Sequence, residues 1–439
     1  MDSQSGLKWE PSWFSEPVPV WTIEPDIELL TELAREALKL PESIPCIIEF
    51  LAQGTFNKVY TITCGGLALY VLRVSLPVQP RFKTMSEQAT INYVRHHTNT
   101  PAPQVIFYEA ANNNKLGFEW MIISKVPGAA MEGQWHQVSW LTKGLWVRQM
   151  AAYLAQLFQS RFLGIGNLFM TSDLQQLPSA DISNALLLGM EFSSETSGFC
   201  LGEIVSVPFF TNDHLMVDMP RGPFKNSQDW LVARIMLHIH DVDNASSSED
   251  EDDDDERYNE LRAMNTPEAI KSRAQRLLNL LPRIFASDDV EEYVLHHHDL
   301  NSNNIITDSN HNIAGIIDWE CISTCPVWLA CEIPEFLDGV ERSECPDPDE
   351  WPISIQDDGR EDRNCVYYEQ LEEYQKTQLR RFFLEEMNRI SPAWVQAYIG
   401  RKRKADFEQV VALFGVGSMG KAISKWLDAV EKGESPAGI

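Results

Sequence analysis

The stretch HHHDLNSNNIITDSNHNIAGIIDWE, from His296 to Glu320, sets histidines, asparagines and aspartates against a run of isoleucines. A buried polar group without a partner costs about 1 to 3 kcal/mol, so these groups either bind something or lie at the surface. NIIT and IAGIID read as two strands, with the turn formers DSNHN between them. A turn centred on His311 pairs Asn304 with Asp318 at the open end of the hairpin, a few residues beyond Asp299. An amide oxygen and two carboxylates converging there suit a hard cation such as Mg²⁺, which takes its remaining oxygens from phosphates.

Upstream of this hairpin the chain divides by pattern. Residues 1–45 are rich in Trp and Pro and then helical over Asp26–Leu40, an extension that packs on a core. CIIEFLAQGTFNKVYTITCGGLALYVLRVS, from Cys46, holds three apolar runs broken at Gly54 and at Gly65 and Gly66, the pattern of an antiparallel meander. SEQATINYVRHH follows as a short helix with Glu87 on the side of its apolar stripe, and TPAPQVIFYEA and GFEWMIIS add two strands. Five strands and one helix thus make a small lobe over 46–126. Residues 127–439 form a larger, α-rich lobe, with helical spacing over Lys143–Gln159, Leu231–His240 and Tyr367–Met387. The expected fold class is α+β and bilobal.

Composition narrows the function. At 439 residues the chain exceeds one small core, and 44% hydrophobic content is that of a folded protein. No apolar run approaches the roughly 20 residues that span a bilayer, so no membrane partner is expected. The N-terminus has neither a secretory nor a transit-peptide pattern, and cytoplasm is the expected location. The eight cysteines form no CxxC pair and read as reduced thiols. A formal charge of −28 argues against a nucleic-acid partner. The acidity either suits a cationic partner or serves solubility alone. Its densest part, within residues 245–258, reads as a disordered acidic insertion.

Several separated motifs carry a resemblance. HHDLNSNN (297–304) resembles the H-x-D-x-x-x-x-N catalytic loop of kinase-like phosphotransferases, and IIDWE (316–320) resembles their second metal motif. Over roughly residues 46–335 the chain is similar to the aminoglycoside phosphotransferase (APH) family, above all its fungal branch with the altered-inheritance-of-mitochondria protein 9 type. The resemblance implies a protein-kinase-like bilobal fold and Mg²⁺-dependent transfer of the γ-phosphoryl of ATP or GTP to a hydroxyl of a small molecule. It implies that Asp299 accepts the acceptor's proton and that Asn304 and Asp318 hold metal. Consecutive residues on a strand point to opposite faces, so His296, His297 and His298 do not share a zinc ion, and His297 reads as a brace for the loop. QGTFNKVY resembles the phosphate-covering loop, with Gly54 and the N–H groups of Thr55, Phe56 and Asn57 near the nucleotide. Glu87 matches the helix carboxylate that fixes the strand-3 cation, and in IISKVPG the Ser124 carbonyl and Val126 N–H match the adenine-binding linker. A mitochondrial location follows from the resemblance alone.

The chain also departs from that pattern. Arg73 in YVLRVS stands at the usual strand-3 lysine, and one glycine stands in the phosphate loop where protein kinases use three. A surface ion pair is the plain alternative for Arg73 and Glu87. After Glu320 no A-P-E segment follows to dock a polypeptide, which favours a small-molecule acceptor. The rival function is a pseudokinase that binds nucleotide or acts as a scaffold without useful turnover. GVGSMG (415–420) has the letters of a dinucleotide fingerprint, but too little chain follows it for the βαβ unit such a site needs.

Overall fold

The computed structural model describes residues 4–11, 17–177, 198–244, 266–286, 290–351, 353–355, 361–363, 365–436 and 438. The acidic insertion lies outside them. Strands β1 (Leu7–Glu10) and β2 (Val18–Trp21) pair antiparallel, and α1 (Ile27–Ala37) follows. Asp26 caps α1, its Oδ1 accepting from the Glu28 and Leu29 N–H groups, a contact worth about 1 kcal/mol. The helix stops short of Leu40 because Leu38 caps it and Lys39 turns to a φ of +51°. Its apolar stripe buries Leu30 and Ala34 against Ile62, Leu72 and Phe118, and full burial of one such leucine contributes about 1.5 to 3 kcal/mol.

β3 (Cys46–Gln53), β4 (Asn57–Cys64), β5 (Leu67–Ser75), β6 (Val105–Glu109) and β7 (Glu119–Ser124) form one antiparallel sheet in the order β3-β4-β5-β7-β6. The alternation in β4 puts Tyr60, Ile62 and Cys64 inside. α2 (Phe82–His97) begins a full turn before the stretch SEQATINYVRHH. Arg81 starts it with a φ of +68°, its N–H held by Glu119 Oε1 at 2.9 Å. From Lys83 to Val94 this helix is almost wholly buried, because it is wedged between the sheet and the second lobe.

The second lobe is built from α3 (Trp140–Gln159), α4 (Ser227–Asn244), α5 (Pro267–Ile284), α6 (Cys365–Ile390), α7 (Pro392–Gly400), α8 (Lys402–Leu413) and α9 (Gly420–Glu431), counting helices of nine residues or more. Trp146, Phe383, Phe407 and Phe414 are fully buried among them. Within GVGSMG, Gly417–Met419 form a 3₁₀ turn and Gly420 opens α9, with α8 ahead of them where a dinucleotide site needs a strand. Two small sheets face the first lobe. One joins β9 (Gly166–Met170), β10 (Phe199–Gly202), β11 (Tyr293–Leu295) and β14 (Ser323–Pro326). The other runs β13-β12-β8, from β13 (Ile313–Ile316) through β12 (Ile305–Thr307) to β8 (Ala129–Ala130). Gly128 makes the second sheet possible: its φ is +124°, and a Cβ there would sit 2.1 Å from the Thr307 carbonyl oxygen. The chain between the lobes is thereby tied to the polar hairpin. No described helix is long and apolar enough to cross a membrane.

Candidate active site

The hairpin adopts a register different from the expected one. Ile305 lies opposite Ile316 and Ile306 opposite Gly315, and the pairing then slips so that Thr307 faces Ile313. The Asn304 carbonyl accepts from the Ile317 N–H at 2.9 Å, so Asn304 stands across from Ile317 and not from Asp318. The turn explains the shift. Asp308 Oδ1 accepts from the N–H groups of Asn310 and Asn312, both at 2.8 Å, and His311 takes a φ of +59°, an Asx-closed bend tighter than a symmetric loop. Asp318 falls just past the strand, at a left-handed bend of φ +63° that aspartate tolerates better than most residues.

Asp299 is held by two amides. Asn301 Nδ2 donates to its Oδ1 at 2.6 Å, and Asn304 Nδ2 donates to its Oδ2 at 2.7 Å and to its carbonyl at 3.0 Å. Asn304 spends its donors on Asp299, which turns its amide oxygen toward other work. His297 lies beneath. Its Nε2 meets the Ile317 carbonyl at 3.0 Å and its Nδ1 meets the Asp299 N–H at 3.3 Å, so a neutral ring protonated on Nε2 satisfies both. Burial pushes its pKa down to about 3, which keeps the ring neutral. Trp319 stands edge-on to it at 4.7 Å.

Across from this loop lies a cluster of buried charge. Arg73 on β5 is paired through Nη1 with Glu87 on α2, and its Nη2 is 3.2 Å from Asp318 Oδ1 and 3.1 Å from Glu320 Oε2. Glu320 Oε2 also takes Lys83 Nζ and Asn57 Nδ2, each at 2.6 Å. Asn57 Oδ1 accepts from Lys83 at 3.1 Å and from the Ser75 hydroxyl at 2.8 Å. Arg73, Lys83 and Glu87 are 8%, 1% and 2% exposed, which overturns the surface-pair reading. Burial alone would raise the Glu320 carboxyl, but Lys83 and Arg73 outweigh it and hold the pKa down at about 2. Asp318 goes the other way: burial, and then the Glu320 charge, push it up to about 7.

The loop residues expected near a nucleotide divide by position. The Gly54 N–H closes a tight turn on the Asn57 carbonyl at 2.9 Å, with ordinary φ and open space where a Cβ would sit. Thr55 is exposed, whereas Phe56 turns inward, edge-on to Phe210 of the second lobe at 5.4 Å. Ser124 ends β7, exchanging bonds with Gln104: its N–H reaches the Gln104 carbonyl and its hydroxyl accepts the Gln104 N–H, each at 2.8 Å. Val126 packs on the polar hairpin, where a Cβ on Gly315 would come 2.7 Å from Val126 Cγ1.

The donor set fits a magnesium ion only in part. Among the described residues, no three His, Cys, Asp or Glu side chains converge as a cage. One amide oxygen from Asn304 and one carboxylate from Asp318 suit an ion that draws its other oxygens from phosphates and water.

A family model described as the phosphotransferase enzyme family (APH) matches residues 47–329. The chain belongs to that family. Its similar curated relatives include subtelomeric hrmA-associated cluster proteins from two strains of Aspergillus fumigatus, each 22% identical over 319 residues, or 65% of this chain. The match spans 59% of the length of those relatives. Among solved structures, a streptomycin–ATP–APH(2″)-IIa ternary complex is 14% identical, with a TM-score of 0.45, over 93% of this chain and 97% of the other. An ethanolamine kinase of Plasmodium vivax is 13% identical, with a TM-score of 0.39, over 93% and 89%.

For a member of the phosphotransferase enzyme family, two residues of this cluster escaped the reading of the sequence. Lys83 lies four residues before Glu87, on the same face of a helix. That spacing, beside an arginine at the strand-3 position, was the available signal, hidden because the helix was expected to start at Ser86. Glu320 sits two residues past Asp318, inside IIDWE, where the resemblance assigns a role to the aspartate alone.

Proposed function

We propose that this phosphotransferase-family protein moves the γ-phosphoryl group of ATP or GTP to a hydroxyl of a small molecule, with Mg²⁺. The observation that carries the reading is the Asp299 carboxylate, oriented by the Asn301 and Asn304 amides beside a cavity of about 370 Å³. His298 and Leu300, which flank Asp299, line that cavity together with Glu332, Glu335, Asp338 and Tyr398. An acceptor hydroxyl in it would give its proton to Asp299 as its oxygen attacks the γ-phosphorus in line. The bond from that phosphorus to the β–γ bridging oxygen breaks, releasing the nucleoside diphosphate. Mg²⁺ held by Asn304 and Asp318 would neutralise the phosphate oxygens. Arg73, oriented by Glu87, adds fixed positive charge on the same side. Gly54, Thr55, Phe56 and Asn57 are assigned to the loop over the phosphates, and Ser124 and Val126 to the base.

Of the acidic groups on the cavity wall Glu332 is paired with Arg401 at 2.9 Å and with His296 at 3.1 Å, which leaves the exposed Glu335 and Asp338 to meet a cationic acceptor. Burial, and then the neighbouring Asp299 charge, raise the Glu335 carboxyl, and burial, and then Glu332, raise Asp338. A bound ammonium would relieve that crowding. The testing experiment is a thermal-shift titration with ATP, GTP and ADP, with and without Mg²⁺, on the wild type and Asp318→Ala. A Mg²⁺-dependent rise lost in the variant is expected, followed by phosphorylation of hydroxylated amines. No rise with any nucleotide would overturn the reading.

One observation favours the pseudokinase alternative. Asp318 is already engaged by Arg73, so the cluster balances much of its charge without a ligand. Nucleotide binding without phosphoryl transfer to any acceptor or to water would decide for it.

A further inference from the structure

We propose that Lys83, acting through Glu320, is a positioning residue for the metal–nucleotide complex, supplied by α2 as a second buried cation beside Arg73. The inference rests on the function proposed above. Three carboxylates, Glu87, Asp318 and Glu320, converge on Arg73, whose Nη2 lies almost equally far from Asp318 and Glu320. One guanidinium shared among three carboxylates leaves at least one of them under-paired, and that is strongly unfavourable for carboxylates as little exposed as Glu87 and Glu320. Lys83 resolves the competition by taking Glu320 at 2.6 Å, which leaves the Arg73 fork to span Glu87 and Asp318.

The same ammonium joins three segments that face the ligand. It leaves the first turn of α2, reaches Glu320 just past Asp318, and reaches Asn57 at the end of the phosphate loop. Asn57 closes the triangle by donating to Glu320. One residue before Glu87 on this helix, Ser86 Oγ accepts from Asn167 Nδ2 of β9 at 2.9 Å, and Asn167 also donates to the Ile322 carbonyl at 3.0 Å. The helix that carries Lys83 and Glu87 is therefore fixed to the lobe that carries Asp318. Lys83 sets where Asp318 and the loop stand relative to one another.

The test uses the full chain with Mg²⁺ or Mn²⁺ and ADP as probes, read by calorimetry and thermal shift, with circular dichroism for the fold. Lys83→Met should weaken binding of metal–ADP at least tenfold while metal-free ADP binding changes less than threefold, because freed Glu320 competes for Arg73. Glu320→Gln added to Lys83→Met removes the competitor and should recover most of the metal-dependent affinity. A purely structural lysine would weaken both forms of ADP equally. Equal weakening, or a double variant no better than the single one, would overturn the proposal. Should Lys83→Met fail to fold, Lys83→Arg and the double variant carry the same comparison, with Lys83→Arg expected to keep the metal dependence. Absence of any nucleotide binding by the wild type would overturn the proposed function itself, and this inference with it.

Discussion

The two sides of the site are built on opposite physics. Asp299 and Asn304 sit on a loop, partly exposed, and are oriented by neutral amide hydrogen bonds from residues within five positions in the chain. Arg73, Lys83 and Glu87 are buried, and with the largely covered Glu320 they form a charged group brought together from β5, α2 and the segment after β13. Local hydrogen bonds set direction at little energetic risk, because a lost partner can be replaced by water. Buried ion pairs set distance between whole segments, and a lost partner there leaves a bare charge. The first side should therefore lose function without losing the fold when mutated, and the second should lose both.

The largest expected effect tests the first half of that contrast. Asp299→Asn and Asp318→Ala should each lower kcat by about a thousandfold or more. The urea midpoint of Asp299→Asn should stay near the wild type, and that of Asp318→Ala should move little, because the carboxylate it removes is disfavoured by burial and by Glu320 but is also paired with Arg73 at 3.2 Å. Unfolding of either variant would erase the distinction between the two sides. Glu87→Ala tests the second half. It strips Arg73 of its partner on α2 and should cost about 3 kcal/mol of stability along with activity. A cost under about 1 kcal/mol would mean that Asp318 and Glu320 alone can satisfy the guanidinium.

The same contrast explains what could be read from the sequence. The alternating runs around Gly54 and Gly65, and the helical spacing that follows, made the five-stranded lobe and the α-rich lobe legible, because burial period is a local property. Asp299, Asn304 and Asp318 stood out because each lies in a short local motif, HHDLNSNN or IIDWE. The cluster was legible only at Arg73 and Glu87. Asn57 meets Glu320 across 263 positions, and no periodicity encodes such a pairing. The hairpin register failed for a local reason: the Asp308 turn and the slip after Ile306 are set by side-chain-to-backbone bonds that a symmetric pairing rule ignores. The ends of α2 failed likewise, since Arg81 begins it in an unusual conformation fixed by distant Glu119.

His297 joins the two regimes, being buried yet neutral, and its effect is intermediate. Its pKa lies near 3 in the folded chain, below the ordinary histidine value of 6.5. Between those values the unfolded chain binds the extra proton, so stability rises with pH there and falls as pH drops below about 6.5, by up to about 1.4 kcal/mol per unit. His297→Gln should be less stable at neutral pH but should show a shallower acid limb in urea midpoints measured from pH 7 to 5. An unchanged slope would mean that the imidazole is not the group that titrates on unfolding.

Gly54 should give the smallest effect on the fold and so separates binding from stability most cleanly. Its φ is ordinary and nothing lies within 4 Å of the place a Cβ would take, so Gly54→Ala should shift stability by less than about 0.5 kcal/mol. A glycine with no structural need is best explained by close approach of another molecule to its backbone. The added methyl should then raise the nucleotide dissociation constant by about fivefold, while leaving acceptor-side variants such as Glu335→Gln unaffected in nucleotide affinity. Unchanged binding in Gly54→Ala would move the phosphates away from this turn and toward the Asn57 end of the loop, where the Lys83 contact already lies.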